Sequence, residues 1–261
     1  MRWYSPLRTD GVWVTGQAAH QVLGPTAAYF GVGVKGFTKE QVDAVSKILA
    51  NARAKLGPRL QEPGAVPPKV LAALLKGVPD LEDRLAQEYL AGVVAASRSP
   101  DPQDDLAAAY VKLIARLTPP QLQFHYGLYR AFWEAGQAVA AADASGPGRP
   151  PLTCFIPQSN LERLFGDEDS PFPVMLDALL AGLDQEGLIG PDYGFARHPS
   201  PQSQGGLAER LGLVATASVR GWQLFCYAHG RAEATPEALL GSGLARWRLP
   251  GVISFPDALP L

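Results

Sequence analysis

His125 lies in the run Phe124-His125-Tyr126-Gly127-Leu128-Tyr129, where an imidazole among phenols has the residue types for moving protons. Glu88 with Arg84, one helical turn apart, is a second pair that could orient a carboxylate. Neither comes with the rest of a catalytic site. No nucleophile, glycine-rich oxyanion loop or partner carboxylate is marked near His125. The ordinary readings are a satisfied, partly buried histidine and a surface ion pair contributing roughly 0.3 kcal/mol.

Gly31, Gly33 and Gly36 spell G-x-G-x-x-G, the fingerprint of a dinucleotide site. That site needs a strand before the glycines and a helix directly after them. Here Thr26 to Phe30 has helical character, and the next helix begins only at Thr38, so a helix-ending turn is expected. Cys154 and Cys226, with His20, His125, His198 and His229, show no ligand pair at the spacing of structural zinc sites. No catalytic, cofactor-binding or metal-binding residue is assigned, and no cofactor is expected. Two cysteines in a chain without a signal peptide point to a reduced, cytoplasmic protein.

The elements that would position such groups are mainly helical. Thr38 with Gln41 forms a capping box ahead of Lys39 to Leu56, whose apolar face is Val42, Val45, Ile48 and Leu49. After a Gly/Pro-rich hinge or surface loop at 57–68, three helices follow closely. Asp80 caps the first, which presents Leu81, Leu85, Tyr89, Leu90, Val93 and Val94 at helical spacing. The second presents Leu106, Tyr110, Leu113, Ile114 and Leu117. Thr118, with Pro119 and Gln121, starts the third, which continues through an alanine-rich end near Ala144. The run Ser145-Gly146-Pro147-Gly148-Arg149-Pro150-Pro151 marks the domain boundary, giving a helical bundle at 1–149 and a second domain at 150–261.

That second domain reads as a short helix capped by Ser159, then a helix from Pro171 to Glu186 ending in Glu186-Gly187-Leu188-Ile189. A polar loop from Pro191 to Gly206, an extended apolar piece at Leu211 to Ala215 and a helix start at Thr216 to Gly221 complete it. Helix, turn, two strands around a wing and a closing helix resemble a winged helix. The fold class expected is therefore mainly α, an N-terminal helical bundle followed by a winged-helix-like α+β domain.

Charge restricts the partners. Residues 1–149 carry 16 Lys and Arg against 13 Asp and Glu, and residues 150–261 carry 7 against 12. Neither half has the basic surplus of a polyanion-binding module. The helix from Pro171 to Glu186 would face the major groove, yet it holds Asp177, Asp184 and Glu186 with no Lys or Arg, and Asp167, Glu168 and Asp169 precede it. A membrane partner is also disfavoured. The uncharged stretch Gly11 to Val34 is interrupted by Gln17, His20, Gln21, Gly24 and Pro25 and lacks about 20 consecutive apolar residues.

Several segments resemble the Abi-alpha family of bacterial abortive-infection proteins. They are Leu23-Gly24-Pro25-Thr26-Ala27-Ala28-Tyr29-Phe30-Gly31, Asn51-Ala52-Arg53, the helix Leu85 to Ser97, and Tyr110 to Leu117 with the Thr118-Pro119 restart. The ends around Gly187-Leu188-Ile189 and Gly221 to Cys226 fit as well. The resemblance implies a role in phage defence and carries no catalytic residue to transfer. The expected function is non-enzymatic interaction with protein, either itself or another partner. A winged-helix DNA-binding regulator and an uncharacterised enzyme are the alternatives.

Overall fold

A computed structural model describes residues 19–34, 37–77, 83–102, 106–142, 153–165, 172–199, 209–232, 255 and 259–260. The protein is mainly helical, with a small antiparallel sheet. It forms two compact units, Met1–Arg116 with Tyr227–Ala232, and Leu117–Cys226 with Glu233–Leu261. The division expected at 149/150 falls in residues outside the described ones. The first unit's long segment ends at Arg116, and the long helix after Thr118 is grouped with the second unit.

In the first unit, residues 19–23 are helical and lead through Gly24–Thr26 into α1 (Ala27–Gly33). Gly31 and Gly33 thus sit in a helix, with helix rather than strand in the described residues directly before them, whereas Gly36 lies outside the described residues. The capping box at Thr38 opens α2 (Lys39–Leu56) as expected, with Val45, Ile48, Leu49 and Ala52 buried. The Gly/Pro stretch after it is pinned rather than hinged. Ala65 and Ser99 exchange backbone hydrogen bonds at 2.9 and 3.1 Å, Val66 is fully buried, and Arg98 donates to the carbonyls of Arg59 and Glu62.

α3 (Pro68–Gly77), α4 (Arg84–Ser97) and α5 (Leu106–Ile114) follow. Asp83, not Asp80, caps α4, its carboxylate accepting from the Ala86 N–H at 2.7 Å. Asp80 and Leu81 lie outside the described residues. Twelve of the fourteen residues of α4 are buried, so it is a central helix and not a one-faced amphipathic one. Its neighbours are α2, α3 and α5. In α5 the inward side is Ala107, Ala108, Tyr110, Val111, Leu113 and Ile114, while Leu106 is 46 % exposed.

The second unit opens on α6 (Pro119–Ala142), whose capping box is formed as expected. Thr118 N–H donates to Gln121 Oε1 at 2.9 Å, and Gln121 N–H donates to Thr118 Oγ1 at 3.4 Å. Then come β1 (Thr153–Pro157), α7 (Gln158–Phe165), α8 (Phe172–Gln185), β2 (Tyr193–Pro199), β3 (Glu209–Thr216), α9 (Val219–Ala228) and the two-residue β4 (Leu259–Pro260). The last two residues of α9 belong to the first unit.

The strand order is β2-β3-β1-β4, all neighbours antiparallel. β1 lies opposite β3 from Thr153↔Thr216 to Pro157↔Gly212, and β2 opposite β3 from Tyr193↔Ala215 to Pro199↔Glu209. β2 falls within the stretch read as a polar loop, and β1 was not anticipated. α7 begins at Gln158, so Ser159 is inside it rather than its cap, and Gln158 Nε2 donates to Glu162 Oε1 at 2.5 Å. α8 ends as its sequence requires. Gly187 has φ +66°, a left-handed position that side chains rarely adopt, and the Leu188 N–H reaches back to Leu183 O at 2.8 Å.

Candidate functional site

His125 sits on the inward side of α6, fully buried, with its ring 4.7 Å from that of Tyr129. Its Nε2 lies 3.1 Å from the carbonyl oxygen of Gly221 on α9. A carbonyl only accepts, so the Nε2 nitrogen carries the proton of a neutral ring. Burial pushes the pKa down to about 3, the Gly221 contact opposing it. At neutral pH this imidazole is an uncharged donor committed to the backbone.

Tyr129 is engaged in the same way. Its hydroxyl donates to Leu188 O at 2.8 Å and accepts from the Ser218 N–H at 2.9 Å. Burial raises its pKa to about 12, with hydrogen bonds to Ser218 opposing. Ser218 Oγ in turn donates to Gly187 O at 2.7 Å and accepts from the Gly221 N–H at 2.9 Å. Ser218 is therefore the cap of α9, a role that the Thr216 to Gly221 pattern left unassigned. Tyr126 stacks with Phe225 at 5.5 Å, and Trp222, 4 % exposed, packs edge-on to Tyr129 at 5.3 Å. Of the His125 run, His125 and Tyr129 form a polar latch joining α6, the turn after α8 and the start of α9, with Tyr126 packed on Phe225 beside it. Such a latch fixes positions; it presents no proton-transfer group to a ligand.

The Glu88 and Arg84 pairing is overturned. Glu88 is 9 % exposed and meets Lys55 Nζ at 3.0 Å, and Asn51 Nδ2 donates to its other oxygen at 2.6 Å. This cluster lies between α2 and α4 in the first unit. Burial holds Lys55 below the ordinary lysine range, with Glu88 pulling the other way. Nothing in the sequence marks the partnership, because 33 residues separate Lys55 from Glu88 and their contact arises only when α2 packs on α4.

Cys154 and Cys226 are free and buried, and burial raises both thiols to about 12. Neither is a nucleophile at neutral pH. Among the described residues no group of three or more His, Cys, Asp and Glu side chains is arranged to hold a metal ion. No described helix is long and apolar enough to cross a membrane.

The solvent side of α8 is the feature with most bearing on partners. Asp177, Ala178, Ala181, Asp184 and Gln185 are exposed, while Leu176, Leu179, Leu180 and Leu183 are buried. Burial and the nearby Asp184 and Asp177 carboxylates raise the pKa of Tyr193 on β2. No family model, curated protein or solved structure matches the chain. What it does must be argued from these surfaces alone. Beyond α8, the β2–β3 hairpin exposes Phe195 and Leu211, each 45 % accessible, beside a loose Arg197 to Glu209 contact of 3.8 Å. Sequence reading passed over the hairpin's exposed face, because half of it lay in the stretch read as loop.

Proposed function

We propose that this chain is a non-enzymatic, cytoplasmic protein-interaction protein of the Abi-alpha type, acting in bacterial abortive infection or phage defence. Its second unit is read as a winged-helix-like module that contacts protein rather than DNA. The order α6, β1, α7, α8, β2, β3 with strand order β2-β3-β1 supports the winged-helix reading.

The exposed face of α8 is the observation that carries the choice of partner. In that fold α8 is the helix that would enter the major groove. Its described outward residues are Asp177, Ala178, Ala181, Asp184 and Gln185, acidic or neutral with no cation, so phosphates would be repelled where they need to be neutralised. Small and acidic side chains with little rotamer freedom suit docking to a protein surface instead. Arg197 and His198 on β2 and Arg210 on β3 give the DNA reading its only foothold in the hairpin.

Three measurements test the proposal. In a mobility-shift assay at about 50 mM salt, where phosphate contacts are strongest, no retardation of duplex DNA is expected. Pull-down from the native host with and without phage challenge should recover a protein partner or a second copy, and deleting the gene should change plaque formation on sensitive hosts. Tight binding of DNA at low salt, or a deletion that alters nothing across a broad phage panel, would reverse the corresponding half of the proposal.

A further inference from the structure

Strand β2 is the outermost strand of the sheet among the described residues, seven residues long, with one edge of backbone N–H and C=O groups facing away from β3. Exposed edges of this length are usually blunted by inward charges, bulges or a covering element. Here the face beside the edge is apolar. Phe195 lies opposite Leu213 and Arg197 opposite Leu211, so Phe195 and Leu211 are diagonal neighbours on one face, both 45 % exposed.

The strand is also polarised in charge. At its first residue, Tyr193 stands near the Asp184 and Asp177 carboxylates, which add to burial in raising its pKa. Toward its other end stands Arg197, whose side chain is 72 % exposed and, among the described residues, makes a 3.8 Å contact to Glu209. An antiparallel partner strand of the same sequence would bring each basic end to the other's acidic end.

We infer that β2 is a self-association edge, at which two copies of this chain pair antiparallel about a dyad at Phe195 and Arg197 of each reaches Asp184 of the other. A two-fold axis normal to the sheet keeps faces together, so only residues of the same face lie opposite one another. With the axis at Phe195, the two Phe195 rings meet, Tyr193 faces the second copy's Arg197, and Gly194 faces the second copy's Ala196. A Cβ at Gly194 would have open space around it, so the face of the sheet at that position is uncovered. Shifting the axis to Arg197 would oppose two guanidiniums, which is repulsive. Shifting it to Ala196 would set Phe195 against Arg197 and leave the rings apart.

This identifies the partner within the protein-interaction reading and rests on it, but its test is separate. Sedimentation of the full chain is followed at about 50 mM salt over a wide concentration range, where charge pairing is least screened. The expected result is a rise in mass from 27.8 kDa toward twice that value. Arg197→Glu and Asp184→Lys should each weaken association by about tenfold or more, and the double variant R197E/D184K should restore it. Amides of 193–199 should gain protection from hydrogen exchange in the concentrated sample. Arg197, Asp184 and Phe195 are all exposed, so these variants keep the fold. A monomer at every concentration overturns the inference, as does a dimer indifferent to the single reversals or one that the double reversal fails to restore. A strictly monomeric chain that still captures a host protein would sink the inference and leave the broader reading standing.

Discussion

Gly92 offers the sharpest test of how the first unit is held together. It lies in the middle of α4, against the carbonyls of Tyr227 and Ala228 at the end of α9. A Cβ there would sit inside van der Waals contact with both oxygens, and both are backbone, which cannot rotate aside. Gly92→Ala therefore requires the two helices to part by roughly 1 Å. Overpacking of this sort costs about 1–3 kcal/mol. The residues that ride on this contact add to the loss, because Tyr227 stacks on Tyr110 at 4.8 Å and Gly230 O accepts from Arg59 at 2.7 Å. Against this, replacing a mid-helix glycine by alanine stabilises the helix by roughly 0.5–1 kcal/mol. The balance is a destabilisation of about 2 kcal/mol, which at this size lowers the melting temperature by roughly 4–8 °C. Gly77→Ala is the control, since its nearest neighbour would be the Ala115 methyl at an ordinary 3.6 Å. Thermal melts of both variants should be paired with hydrogen exchange of the peptide covering 227–232, which should lose protection only in Gly92→Ala. If Gly92→Ala melts with the wild type while its helix gains stability, the close approach is not what fixes that segment.

Three further outcomes are expected. His125 is neutral and buried with its pKa near 3, so below pH 6.5 the unfolded chain binds a proton that the folded chain does not. Its contribution is constant above pH 6.5, and stability falls by about 1.4 kcal/mol per unit from there down toward pH 3. Urea unfolding across pH 4.5–7.5 should show a slope shallower by that amount in His125→Gln, which keeps a donor for Gly221 and does not titrate; equal slopes would refute it. Glu88→Ala leaves Lys55 charged and buried and should cost about 3–5 kcal/mol in urea unfolding. Replacing both as K55M/E88L should recover most of that loss, and additive costs would count against a coupled pair. Thr118→Ala removes one arm of the capping box on α6 and should cost about 1 kcal/mol, whereas Gln121→Ala should cost a similar amount without adding fully to it.

What could be read from the residues was what local chemistry decides. The capping boxes at Thr38 and Thr118 formed because a hydroxyl and an amide three residues apart can satisfy each other's backbone N–H without outside help. The inward faces of α2 and α5 were largely right for the same reason, since spacing within one helix fixes them. Errors arose where a choice depended on residues far along the chain. Asp83 caps α4, whereas the expected cap Asp80 lies outside the described residues. β2 alternates Tyr193, Phe195 and Arg197 with Gly194 and Ala196, too weak a pattern to separate from loop until β3 lies beside it. Glu88 was given to Arg84 because helical spacing sees only its own helix, whereas burial between α2 and α4 gives it Lys55 and Asn51. His125 was read correctly as a satisfied histidine, but its acceptor, Gly221, is 96 residues away.

The return of the chain to the first unit at Tyr227–Ala232 has a consequence in time. That unit has all its other described helices once Arg116 has been made, yet the segment that packs on Gly92 and takes the Arg59 hydrogen bond comes 111 residues later. At about 5–20 residues per second of synthesis, the cleft over Gly92 stays open for roughly 5–20 s on the ribosome. During that interval α4 shows water the small-residue surface that the finished fold hides completely. Any slowing of translation between 117 and 226 lengthens that exposure.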